Sequence, residues 1–136
     1  MARILSIDYG AKRTGLAISD SLGMIANGLD TVATRDLMKR LEELQKEYGY
    51  KSVVIGQPKR MSGAYSNVEN DILQFISVLK EKMPGMDIQR FDERFTSKMA
   101  METMLVSGAK KKKRAEKGTL DKISATIILQ EYLNSK

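Results

Sequence analysis

The chain has 136 residues, a formal net charge of +6 and a hydrophobic share of 42%, the proportions of one soluble globular domain spanning residues 1–136. It contains no Cys and no His, which excludes disulfides, thiolate chemistry, imidazole metal ligands and any Ser-His-Asp triad. Carboxylates, Lys, Tyr or a bound metal must therefore carry any catalysis, and no apolar run approaches the ~20 residues that span a bilayer.

In chain order, two short apolar runs come first, Ile4-Leu5-Ser6-Ile7 and Leu16-Ala17-Ile18. Each ends in a carboxylate, Asp8 and Asp20, and the turn-forming stretch Tyr9 to Gly15 joins them, which predicts two antiparallel strands. Met24 to Val32 predicts a third strand around a break at Asn27-Gly28. The pattern then becomes helical. Thr34 is the expected N-cap, Leu37, Leu41, Leu44 and Tyr48 recur at helical spacing, and Gly49 closes the segment. Lys51 to Gly56 reads as a short buried strand stopped by Gln57-Pro58. After a basic loop, Val68, Ile72, Phe75, Ile76, Leu79 and Met83 mark a second helix ended by Pro84-Gly85.

Met86 to Asp92 predicts a fifth strand. Thr96 or Ser97 would cap a Met-rich helix, and a basic segment hinged at Gly108 and Gly118 follows. Thr119 is the expected cap of a last helix with Leu120, Ile123, Ile127 and Leu133 as its apolar stripe. Helices after strands four and five imply parallel crossovers. The fold class is α/β, with a mixed five-stranded sheet: a three-strand antiparallel meander plus two parallel strands, flanked by helices.

Acidic residues fall at corresponding places in this scheme. Asp8 ends the first strand, Asp92-Glu93 ends the fifth, and Asp121 falls in the first turn expected of the last helix. Strand C-termini share one edge of a parallel sheet, and a returning helix can bring its N-terminus there. Converging acids without His or Lys partners repel unless protonated or neutralised by cations. Carboxylate oxygens suit Mg²⁺ or Mn²⁺, which can activate water for phosphodiester hydrolysis. Structural roles are also open to these acids: Asp121 on the helix dipole, Asp92 and Glu93 paired with Arg90 or Arg94, and Asp20 in a turn.

Several of these residues carry a family likeness: Asp8-Tyr9-Gly10 with Arg13 and Gly15, Val54-Ile55-Gly56 with Pro58, Asp92-Glu93-Arg94-Phe95-Thr96-Ser97, and Asp121 with Ile128-Leu129-Gln130. In this set the chain resembles the YqgF/RuvX family of the RNase H-like superfamily, which also holds the RuvC resolvases. The resemblance implies an RNase H-like fold, an acidic site binding Mg²⁺ or Mn²⁺, and maturation of the 5′ end of pre-16S rRNA, with Holliday-junction cleavage as the alternative. RuvC-type resolvases place a Glu at the end of the fourth strand, where this chain has Gly56-Gln57-Pro58. The second acid is then Glu93, making Asp8, Glu93 and Asp121 the expected catalytic and metal-holding set, with Asp20 and Asp92 left open as further ligands.

The basic residues point to a polyanion. Lys110, Lys111, Lys112, Lys113, Arg114 and Lys117 against Glu116 give the segment between Gly108 and Gly118 a local charge of +5, most of the net excess. Arg13, Lys59, Arg60 and Arg94 flank the acidic edge, and with Lys110 to Arg114 they form the expected nucleic-acid contacts. The expected partners are pre-rRNA, branched DNA as the alternative, and ribosomal particles, with no membrane partner and a monomer or weak homodimer. Lack of Cys and of a signal-peptide pattern suits the cytoplasm. Two other functions compete: a non-catalytic nucleic-acid-binding assembly module of the same fold, and an actin-like phosphotransferase. The second needs two domains around a cleft, and this chain has length for one.

Overall fold

The structure is a computed structural model that describes residues 3–57, 68–92 and 117–135, with side chains from residue 122 onward in the last stretch. Five strands, β1 (Ile4–Asp8), β2 (Arg13–Ser19), β3 (Ala26–Ala33), β4 (Ser52–Gln57) and β5 (Asp87–Asp92), form one sheet in the order β3-β2-β1-β4-β5. β1 pairs antiparallel with β2 and parallel with β4, while β2–β3 is antiparallel and β4–β5 parallel. The mixed sheet expected from the order of elements is therefore present, with β1 at its centre.

Alternation along the strands divides the apolar residues between two layers. One face sends Leu5, Ile7, Leu16, Ile18, Val53 and Ile55 against α1 (Leu37–Tyr48) and α2 (Glu69–Lys82), where Leu37, Leu41, Leu44, Ile72 and Leu79 are buried. The other sends Ile4, Ala17 and Val54 against Ala125, Ile128, Leu129 and Leu133 of α3 (Lys117–Asn134). Each fully buried Leu or Ile contributes about 1.5–3 kcal/mol. β1 and β4 are apolar on both faces because both faces are covered.

Four local expectations are corrected. β3 begins at Ala26, and Asn27-Gly28 does not interrupt it; the irregularity is a bulge at Leu29, which has no partner between the pairs Ala17↔Gly28 and Leu16↔Asp30. Gly28 serves packing instead: a Cβ there would lie 3.0 Å from Lys122 Cγ and 3.1 Å from Thr126 Oγ1 on α3. Thr34 caps no helix; it starts a 3₁₀ turn, Thr34–Asp36, whose flanking residues make no side-chain cap bond. α3 begins at Lys117, so Gly118 lies inside it and Asp121 opens its second turn.

The stripe of α3 is also rotated from its expected position. Ser124, Ala125, Ile128, Leu129 and Leu133 are buried, while Ile123 and Ile127 are only partly so. The unbroken run Ala125 to Leu129 has no clear period, and the small pair Ser124-Ala125 lets the helix axis approach the sheet closely. The expected helix from Thr96 lies outside the described residues.

Candidate active site

β1 is buried from Ile4 to Ile7 and only at Asp8 becomes partly exposed, at the edge where parallel β4 and β5 also end. Alternation puts Asp8 on the α3 face with Ser6. There its partner across the antiparallel ladder is Gly15. On the parallel side, one step beyond Ile7↔Ile55 sets Gly56 beside it. As glycines, these two direct cross-strand neighbours place no side chain of their own beside Asp8.

Residues 9–12, which connect β1 to β2, are braced from a distance by Thr34. Its N–H donates to the Lys12 carbonyl at 3.0 Å, and its hydroxyl donates to the Gly10 carbonyl at 2.6 Å. That uses its single proton, so the Thr14 hydroxyl, 2.9 Å away, donates to Thr34 Oγ1. The loop is so tight that a Cβ on Gly10 would collide with the Arg13 carbonyl oxygen. Arg13 opens β2 two residues before Gly15, and so stands on the face of Asp8 at the same edge.

α3 runs antiparallel to β1. Gln130 Oε1 accepts the Ala26 N–H at 3.0 Å at the lower edge, and Lys122 and Thr126 lie over Gly28. Its height is fixed by a buried bond in which Ser6 Oγ donates to the Ala125 carbonyl at 2.9 Å. Asp121 is one helical turn before Ala125, ~6 Å along the axis, and Asp8 is two residues beyond Ser6, ~6.6 Å along the strand. The backbone of Asp121 is thereby brought level with Asp8. Beyond the first turn, Asp121 gains little from the helix dipole.

Other expected residues part company with this pair. Asp92 pairs with Gln57, and alternation sends both to the α1/α2 face, away from Asp8. Asp20 closes the β2–β3 turn at the opposite edge. Its Oδ1 accepts the N–H groups of Met24 at 2.7 Å and Ile25 at 3.1 Å, and these bonds hold its carboxyl below the usual range. Glu93, Lys59, Arg60, Arg94 and Lys110 to Arg114 lie outside the described residues. Among the described residues no three acidic side chains gather around one point.

Among the described residues, Arg90 finds its acidic partner on α2. Its guanidinium grips Glu69 at the start of α2, Nη1 to Oε2 at 3.0 Å and Nη2 to Oε1 at 2.8 Å. It also donates from Nε to the Ile55 carbonyl at 3.2 Å and from Nη2 to the Gly56 carbonyl at 3.1 Å. Glu69 was missed in the sequence, although an acid three residues before Ile72, on the apolar side of a helix, is a readable signal. The cluster ties the end of β4 beside Asp8 to both β5 and α2.

A mixed sheet of this order, with an acid ending its central strand and a helix returning across the meander, defines an RNase H-like protein. The family model described as RuvX: Holliday junction resolvase matches residues 2–135. The chain belongs to the RuvX family. It is 52% identical over 133 residues to a Christiangramia forsetii protein named as a candidate pre-16S rRNA nuclease, covering 98% of each chain. A Flavobacterium johnsoniae protein of the same name is 49% identical, with 100% of this chain and 99% of that one covered. In fold the chain is similar to Thermus thermophilus RuvC in complex with Holliday junction substrate, with a TM-score of 0.57 at 14% identity over 98% of this chain and 94% of that one. No helix among the described residues is long and apolar enough to cross a membrane.

Proposed function

We propose that the chain is a divalent-metal-dependent nuclease of the cytoplasm that hydrolyses phosphodiester bonds at the 5′ end of pre-16S rRNA. The observation that carries this reading is the Ser6–Ala125 bond, which sets the backbone turn of Asp121 level with Asp8 at an edge where Gly15 and Gly56 flank β1. The names of the relatives support the substrate. A partly exposed carboxylate with glycine on both sides suits a hard, oxygen-seeking cation. Asp8, Glu93 and Asp121 would hold Mg²⁺ or Mn²⁺, and the chemistry such an ion supplies when bound is activation of water and stabilisation of the leaving oxygen. Arg13, Lys59, Arg60 and Arg94 orient the scissile phosphate, and Lys110 to Arg114 hold the flanking strand.

The test is incubation with a pre-16S rRNA 5′-leader and a four-way DNA junction in Mg²⁺ or Mn²⁺. Glu93→Gln is expected to abolish cleavage of the leader, while Gln57→Leu, on the face away from Asp8, leaves most of it. Normal turnover in Glu93→Gln would remove that residue from the site. Cleavage of the junction alone would replace RNA by branched DNA as substrate. Binding without cleavage by the unmodified protein in either ion would make it an assembly module.

Neutralising Lys110 to Arg114 is expected to weaken RNA binding and flatten its salt dependence, by about 0.7 in the slope of log K against log salt for each single-strand phosphate no longer held. Binding titrations at three salt concentrations measure this. An unchanged slope would leave the run with no part in holding the strand.

A further inference from the structure

A groove of about 260 Å³ opens on the α1/α2 side of the sheet edge that carries Asp8. Tyr9 connects the two. As the residue after Asp8 it takes the opposite face, where its ring packs on Phe75 with centroids 5.6 Å apart and planes tilted by 39°. Met38 and Phe75 add apolar lining, and Arg35, Asp71 and Gln74 supply polar groups. The Arg35 side chain is 87% exposed, and its contact with Asp36 is 4.0 Å long, so its charge remains available at the rim.

We infer that this groove is a binding site for one unpaired nucleobase of the RNA strand whose phosphate lies at Asp8; the inference rests on the nuclease reading above. Single-stranded RNA is recognised by bases that leave the stack, lie on aromatic side chains and meet polar groups at their edges. The groove supplies each element. Tyr9 and Phe75 give an aromatic wall, the Gln74 amide both donates and accepts, and the Asp71 carboxylate accepts base N–H groups. Asp71 also disfavours a phosphate within the groove, whereas Arg35 at the rim favours one outside it. A strand crossing the end of β1 would thus present backbone to the Asp8 face and turn a neighbouring base into the Tyr9 face. The bonds of Thr34 to Gly10, Lys12 and Thr14 hold the intervening loop in one shape.

The test is binding of a short pre-16S rRNA leader oligonucleotide without divalent ions, with one abasic position introduced at a time. One abasic position is expected to weaken binding by about tenfold, within the range of stacking on a single aromatic side chain. Tyr9→Ala should lose a similar factor on intact RNA and show no further loss at that position. Val78→Trp fills the groove from a residue already 41% exposed, and should do the same if the loss of the Tyr9 ring disturbs folding. Equal tolerance of every abasic position, or a penalty unchanged in both variants, would overturn the groove assignment. Intact cleavage with no abasic effect removes the groove alone. An abasic effect in a protein that cuts nothing keeps the groove and removes the nuclease.

Discussion

Asp8→Asn is expected to remove divalent-dependent cleavage, lowering turnover by well over about a hundredfold, the upper end for loss of a group that merely supports a metal ligand. Asn preserves the size and hydrogen-bonding capacity of Asp but lacks the charge that retains a hard cation. As a simple turn residue Asp8 would tolerate the exchange, since Asn serves turns equally well. RNA binding without metal should be kept or strengthened, because one negative charge leaves a surface facing phosphate. Thermal melts give an independent readout. Clustered acids repel, so the unmodified protein should gain stability on adding Mg²⁺ or Mn²⁺, and the variant should start higher and respond less. Normal cleavage and an unchanged metal response in Asp8→Asn would sink the metal-nuclease reading.

The largest expected loss of stability follows from breaking the Glu69–Arg90 pair. Their side chains are only 9% and 21% exposed, so the charges are partly desolvated and depend on one another. Arg90→Met leaves a buried carboxylate and the Ile55 and Gly56 carbonyls without their donor, at a cost of about 3–5 kcal/mol. Chemical denaturation should show the loss as a lower midpoint with little change in slope. Adding Glu69→Leu to Arg90→Met should recover much of it, because a buried pair is often replaceable by apolar side chains. A single variant within about 0.5 kcal/mol of the unmodified protein, the range of ordinary surface changes, would show that the pair is solvated and dispensable.

The sheet was legible because β1 and β4 are short apolar runs, and runs of that kind identify strands without tertiary knowledge. Asp8 and Asp121 were legible as positions, at the end of a strand and near the start of a helix. Their common height was not, since it depends on Ser6 meeting the Ala125 carbonyl. Thr34 has the composition of a helix cap, and local pattern could not show that loop groups more than 20 residues upstream would take its bonds. Asn27-Gly28 has turn chemistry, but its Gly answers to the approach of α3. Arg90 sits beside Asp92 and Glu93 in the chain, so pairing with them was the local expectation. The partner that the described residues show, Glu69, lies 21 residues away and requires α2 to be docked first. In each case short-range pattern located the element, and long-range packing decided what its polar groups do.

The bond between Ser6 and Ala125 spans 119 positions of the chain. During synthesis β1 emerges long before the helix that covers it, and pairings of such separation form late because loop closure must come first. Until then Ile4, Ala17 and Val54 face water on one side of an otherwise closed sheet, a sticky intermediate of the kind chaperones shield. Arrival of the last helix hides that face and levels Asp121 with Asp8 in the same event. Until that helix has left the ribosome, the backbone that carries Asp121 is expected to be absent from the proposed site.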